Sequence, residues 1–223
     1  NMDTICACGT PDTHLDLFGQ RFRIPVFAGP VGAVQLHYGK KFDDMQYNDI
    51  LVPACRDAGI LAFTGDGTNP AVMVAACKAV KAAQGFGIPT VKPWDAGTIA
   101  EKMALVRDSG AFAAAMDIDA AGLPFLKNLD PPAGSKTAGE LKGIIADAKV
   151  PFIIKGIMTV RGAEKAVEAG ASAIVVSNHG GRVLDQTPAT AEVLPEIAAA
   201  VKGRCTVLVD GGIRTGMDVF KAL

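Results

Sequence analysis

The residues best equipped for chemistry stand together in Ser177-Asn178-His179-Gly180-Gly181-Arg182. Histidine is the side chain whose ordinary titration range suits a general base, and the two glycines after His179 let backbone and ligand approach closely. Arg182 offers a planar fork that can hold a carboxylate through two charge-assisted bonds. Lys155 closes an apolar run at Ile154-Lys155-Gly156, where a buried ammonium is costly without an anion beside it. Asp117 closes another run, and its carboxylate could orient His179 and stabilise the imidazolium; Asp119 shares its face if the strand continues to alternate. Asp210-Gly211-Gly212-Ile213-Arg214 precedes a helix start, so its amides and Arg214 suit a phosphate. Plainer readings stand beside these: a histidine satisfied within a loop, a surface ion pair for Arg182, a lysine reaching solvent, and a tight turn.

The elements that must position these groups form a repeating unit. Apolar runs of strand type cover Ile24 to Ala28, Ile60 to Thr64, Ile88 to Lys92, Phe112 to Asp117, Val150 to Lys155, Ser172 to Ser177 and Cys205 to Asp210. Between them lie helical spacings, such as Ile50, Leu51, Ala54 and Ala58, or Val193, Leu194, Ile197 and Val201. Thr98 with Glu101 and Thr137 with Glu140 read as capping boxes, Pro70 as a helix start, and Gly59, Gly110, Gly170 and Gly203 as helix exits. Continuous apolar strands in strict alternation with helices mean an α/β fold around a parallel sheet.

A doubly wound sheet needs a Gly-x-Gly-x-x-Gly turn after the first strand, and Gly65-Asp66-Gly67-Thr68-Asn69-Pro70 lacks the third glycine and follows the second. Polar residues at the C-terminal ends of several runs favour a TIM (β/α)8 barrel, whose sites are built on that rim. Seven of its eight units are countable. The expectation is one domain over 1–223, a lead-in hairpin over 1–23 and barrel units one to seven over 24–223. Asn1 at one end and an amphipathic stretch with Val219, Phe220 and Leu223 at the other suggest a fragment.

Of the 223 residues, 49% are hydrophobic and 20% charged, enough for one full core. A net charge of -1 gives no field to gather nucleic acid or anionic lipid, and no apolar stretch has the length of a membrane span. A soluble, cytoplasmic protein is expected. Five scattered cysteines read as reduced thiols, and Cys6, Cys8 and His14 fit no zinc spacing, so no metal is expected.

The His179 block, Lys155-Gly156 and Asp210 to Arg214 together resemble the FMN-dependent 2-hydroxy acid oxidase and dehydrogenase family, densely over residues 151–223 and more thinly over 15–120. Ile24 to Pro30 is similar to the family's entry into its first barrel strand. The resemblance implies FMN as cofactor, held by Pro30, Lys92, Lys155, Ser177, Asp210, Gly211, Gly212 and Arg214. Lys155 would stabilise negative charge at the flavin N1 and O2 edge. It also implies a small lactate- or glycolate-like acid bound by His179 and Arg182, with His179 as base and Asp117 behind it, and a homotetramer.

Three departures accompany it. Val91-Lys92-Pro93-Trp94 replaces a segment with glutamine and an aromatic residue. Pro124 stands where a second carboxylate-binding arginine is common. Thr64-Gly65-Asp66-Gly67 replaces a serine-rich turn. Two rival functions are an FMN-dependent isoprenoid diphosphate isomerase and a non-redox barrel aldolase using Lys155 as a Schiff-base amine.

Overall fold

The computed structural model describes residues 9–129 and 132–223. Cys6 and Cys8, with the metal question attached to them, lie outside the described residues; Cys55, Cys77 and Cys205 are free thiols. A hairpin leads in, β1 (Leu15–Leu17) antiparallel to β2 (Gln20–Phe22). Phe18 and Gly19 turn it with φ of 50° and 79°, the doubly positive pair whose twist matches that of the strands. Alternation then buries Leu17 and Phe22 under the main sheet.

The β/α units follow: β3 (Phe27–Ala28), α1 (Val34–Tyr38), α2 (Asp44–Ala58), β4 (Leu61–Thr64), α3 (Pro70–Ala82), β5 (Ile88–Val91), α4 (Ala96–Ser109) and β6 (Ala114–Asp117). A 3-10 turn over Ile118–Gly122 leads to α5 (Pro124–Lys127), α6 (Ala138–Ala148), β7 (Phe152–Ile157), α7 (Val160–Glu168), β8 (Ala173–Val176), α8 (Thr190–Val201), β9 (Thr206–Val209) and α9 (Gly216–Ala222).

The seven strands β3 to β9 form one parallel sheet whose spatial order is the sequence order. A doubly wound sheet would reverse direction at a switch point, so this is the wall of a TIM barrel. Among the described residues β3 and β9 do not pair with each other, and a groove lined by Phe27, Leu61, Leu194, Val207 and Leu208 separates them. The barrel is therefore incomplete, with seven strand units, as the count of apolar runs predicts.

Strand parity divides the core into two layers. Leu61, Phe63, Ile88, Ala113, Ala115, Ile153, Ala173 and Val175 point inward and pack with Leu17 and Phe22 of the hairpin. Val91, Ala114, Met116, Ile154, Ile174 and Val176 point outward against the helices. The inner layer pairs bulky Phe63, fully buried, with the alanines of β6, so truncating Phe63 would open a cavity worth about 3–5 kcal/mol.

Two local expectations change. β3 spans only Phe27–Ala28, because Pro25 contributes no amide to the ladder. Helix α4 begins at Ala96, capped by Asp95, whose Oδ1 accepts from the amides of Gly97 and Thr98, so Thr98 lies inside the helix and caps nothing. The Thr137–Glu140 box is present, and Gly59 and Gly110 end their helices in the left-handed conformation as expected.

Candidate active site

Parity also builds the site. Continuing the inward positions of five strands one step past the core brings Lys92, Asp117, Lys155, Ser177 and Asp210 to the C-terminal rim. Asp117 and Lys155 lie in register on neighbouring strands. Lys155 Nζ is 3.0 Å from Asp117 Oδ1 and 3.7 Å from Asp210 Oδ2, and Lys92 Nζ is 3.9 Å from Asp117 Oδ2. Cation and carboxylate alternate around the mouth, and Asp117 and Lys155 are buried.

Burial pushes the Asp117 carboxyl up, but the Lys155 and then the Lys92 ammonium outweigh it and hold it below the usual carboxylate range. Burial likewise opposes the Lys155 charge, yet Asp117, Asp210 and Asp119 raise its pKa above the ordinary lysine value. Asp210 loses this competition: burial raises its carboxyl above normal despite Lys155.

After β8 the chain makes a tight 3-10 turn, His179–Gly181, in which His179, Gly180 and Gly181 all have positive φ of 58°, 68° and 74°. The left-handed state costs a non-glycine residue about 1–2 kcal/mol. It is held at His179 by neighbours: Ser177 Oγ accepts from the His179 amide at 3.2 Å, and Asn178 Oδ1 accepts from the Gly181 amide at 3.3 Å. The ring is buried, with Nδ1 3.0 Å from Asp119 Oδ1. A carboxylate only accepts, so Nδ1 carries the proton and Nε2 is left as the basic nitrogen. Arg182 Nε donates to the His179 carbonyl at 3.1 Å, which ties the guanidinium to the same turn. Among the described residues its two terminal nitrogens have no hydrogen-bond partner.

One placement corrects the expectation from sequence. Asp119, not Asp117, holds His179, while Asp117 is committed to the two lysines. Strand alternation is not the reason, because β6 ends at Asp117 and the 3-10 turn swings Asp119 over toward β8. Asp117, Asp119 and His179 still lie close, with ligand-type atoms within 4.8 Å of one another. Lys155 and Lys92 already answer the Asp117 charge there.

Pro30, Lys92, Asp117, His179 and Arg182 line one pocket. Ser177 lies beneath it, its hydroxyl holding the histidine turn. Gly211 and Gly212 have φ of 95° and 78°, and nothing lies within 4 Å of where a Gly212 side chain would begin. Gly211 packs against Thr190, so the backbone open at Gly212, with the exposed Arg214, is the part of the expected phosphate cradle that is present. The Arg214 amide is not free for an anion, since it donates to Asp218 Oδ2, the acid of the α9 capping box. Pro124 starts α5, so no second arginine stands there, and Phe125 lines the pocket instead.

Sequence reasoning passed over Asp66, His37 and Phe125 as site-forming residues. Asp66, 4% exposed, follows β4. Its Oδ1 accepts from Lys102 Nζ and the Gly67 amide, and its Oδ2 from Trp94 Nε1 at 2.7 Å and the Lys92 amide at 3.1 Å. Lys102, a lysine on the apolar face of α4 with Ile99, Met103 and Val106, was the available signal. His37, on α1, lines the pocket, and burial followed by the Arg182 and Lys92 charges lowers its pKa.

Residues 132–223 match the family model described as FMN-dependent dehydrogenase. A peroxisomal (S)-2-hydroxyacid oxidase of Arabidopsis thaliana is 61% identical over 75 residues, 34% of this chain and 21% of its own length. A 4-hydroxymandelate oxidase of Amycolatopsis orientalis is 45% identical over 141 residues, 62% of this chain and 35% of its own. A crystal structure of mandelate oxidase superposes with a TM-score of 0.77 at 29% identity, covering 94% of this chain and 65% of that one. A mandelate oxidase variant with an FMN adduct gives a TM-score of 0.68 at 32% identity, covering 94% and 64%. The chain thus spans about two thirds of these structures and a fifth to a third of the curated relatives it matches.

Proposed function

We propose, for a chain that belongs to the FMN-dependent 2-hydroxy acid oxidase and dehydrogenase family, that this barrel mouth binds FMN and oxidises a small 2-hydroxy acid to the 2-oxo acid. The residues present fit the cofactor. Lys155 is a buried ammonium that can face an anionic ring edge, and the backbone open at Gly212 beside Arg214 suits a phosphate. Pro30, Lys92 and the strand ends with Ser177 and Asp210 would complete its surroundings. Bound FMN supplies the two-electron acceptor.

The protein's own part begins with the carboxylate. Arg182 can grip it with its two terminal nitrogens, because Nε is already spent on the His179 carbonyl and fixes the plane of the fork. His179 Nε2 then takes the substrate proton, from the hydroxyl if C2 gives up a hydride, or from C2 if a carbanion forms first. In either case two electrons and two protons leave the acid. Asp119 stabilises the imidazolium that results. The observation that carries the proposal is this chain of contacts from Asp119 through His179 to Arg182.

The rival readings fit less well. An aldolase needs a neutral lysine amine, whereas Asp117 and Asp210 raise the Lys155 pKa and keep it charged. A diphosphate isomerase has no use for the His179–Arg182 pair. The reading includes a homo-oligomer, a tetramer by family resemblance, and a cytoplasmic location. Among the described residues no helix is long and apolar enough to cross a membrane.

The test is to titrate the protein with FMN and then add glycolate, lactate or mandelate without oxygen. A yellow complex that bleaches with at least one acid is expected. A complex that none of them bleaches would overturn the proposal.

A further inference from the structure

Asp119 belongs to the turn after β6, and His179 follows β8, so their contact must cross the intervening strand β7. The residue of β7 beneath the crossing is Gly156. Its φ is 101°, and the pairing of β7 with β8 slips there, Lys155 opposite Val175 and Ile157 opposite Val176. A Cβ on Gly156 would overlap the Cβ, Cγ and Oδ1 atoms of Asp119. These atoms sit next to the Asp119 backbone, so no rotation of so short a side chain clears them while keeping Oδ1 on Nδ1. His179 cannot follow, because its ring is buried and its backbone is fixed by Ser177 and Asn178.

We propose that Gly156 is the positioning residue of the acid–base pair: the bulge it makes in β7 leaves the space through which Asp119 reaches across to His179. The same bulge follows Lys155 directly, so one local irregularity serves both the cation facing Asp117 and the carboxylate facing the histidine. Glycine is required here for close approach as well as for its positive φ.

The experiment compares Gly156→Ala, Asp119→Gly and the double variant in the full chain. The first readout is the imidazole nitrogen-15 spectrum of His179 at alkaline pH, which tells which ring nitrogen carries the proton. The chain has three histidines, and the His179 signals are those lost in His179→Gln. Wild type should show the Nδ1 proton alone, and both single variants the mixed tautomers of an unheld ring. This readout needs neither FMN nor a hydroxy acid, so it stands apart from any failure of the proposed activity.

In the FMN-loaded protein, each single variant should slow flavin reduction about a hundredfold, the scale of a misplaced catalytic group. The double should be no slower than Asp119→Gly, since residues acting through one contact are not additive. A wild-type tautomer spectrum in Gly156→Ala, or losses that multiply in the double, would overturn the proposal. Should Gly156→Ala fail to fold, the double decides. With the Asp119 side chain removed the added methyl has room, and recovery of the fold supports the spacing role. A double that also fails to fold would show that backbone conformation alone requires the glycine, and the proposal would be wrong.

Discussion

The two halves of the barrel rim treat buried charge in opposite ways. On the β4–β5 side, Asp66 receives four donors, all from the chain: Lys102, Gly67, Trp94 and the Lys92 amide. Nothing is left over, and the Lys102 ammonium also sits 5.4 Å from the Trp94 ring centre. On the β6–β8 side, the buried Asp119 Oδ2 has no hydrogen-bond partner among the described residues, and the exposed Arg182 commits only its Nε to the chain. The saturated Asp66 network locks three elements together, whereas His179 and Arg182, on the wall of the same pocket, keep a basic nitrogen and two terminal donors for a ligand. Charge and burial alone do not separate the two; what separates them is whether the chain itself already uses the groups on the pocket wall.

The largest effect should come from breaking the saturated side. Asp66→Ala leaves Lys102 buried without its anion and should cost about 3–5 kcal/mol of stability, read from the denaturant midpoint. A loss below about 1 kcal/mol would mean that Asp66 belongs with the ligand-ready groups. Lys155→Met sharpens the division at its border, since Lys92 reaches toward Asp117 from the other side. It should weaken sulfite binding to the FMN-loaded protein by at least about tenfold, ~1.4 kcal/mol. Unchanged sulfite affinity would transfer the role of flavin-edge cation to Lys92.

Arg182→Lys should raise the apparent dissociation constant for the acid by about tenfold while leaving stability unchanged, because an ammonium cannot reproduce the two-pronged contact. Equal affinities would remove Arg182 from the substrate site. The smallest effect is in pH dependence. The Asp210 carboxyl is held above its ordinary value by burial, so the native state binds this proton more tightly than the unfolded chain does. Its contribution is therefore present below the unfolded value, about 3.9, and is lost as pH rises through the folded one. Asp210→Asn, which keeps the neutral form, should raise the melting temperature at neutral pH and leave it unchanged in acid. A lower melting temperature at neutral pH would show that the Asp210 charge is needed beside Lys155.

Much of this was legible in the sequence. Apolar runs and glycine exits locate the seven parallel strands, and inward parity carries Lys92, Asp117, Lys155, Ser177 and Asp210 to the same rim. What was not legible depends on where a strand stops. Two carboxylates separated by one residue look equivalent on a continuing strand, and only the 3-10 turn after Asp117 sends Asp119 to the histidine. The Asp66 network was hidden for a similar reason, since apart from Gly67 its donors come from the stretch after β5 and from α4, brought to β4 by the parallel order. The capped α9 start has the same Thr-x-x-acid spacing as Thr137 and Glu140; what the spacing does not show is that Asp218 also takes the Arg214 amide that a phosphate would use.

The decisive measurement is the anaerobic rate at which a 2-hydroxy acid reduces the FMN-loaded protein, compared between wild type and His179→Gln. The variant should keep its FMN and its stability but be reduced at least about a hundredfold more slowly, since His179 Nε2 is the base that the Asp119 contact leaves free. Reduction of the variant at the wild-type rate, with FMN equally bound, would contradict the assignment of this turn as the catalytic centre.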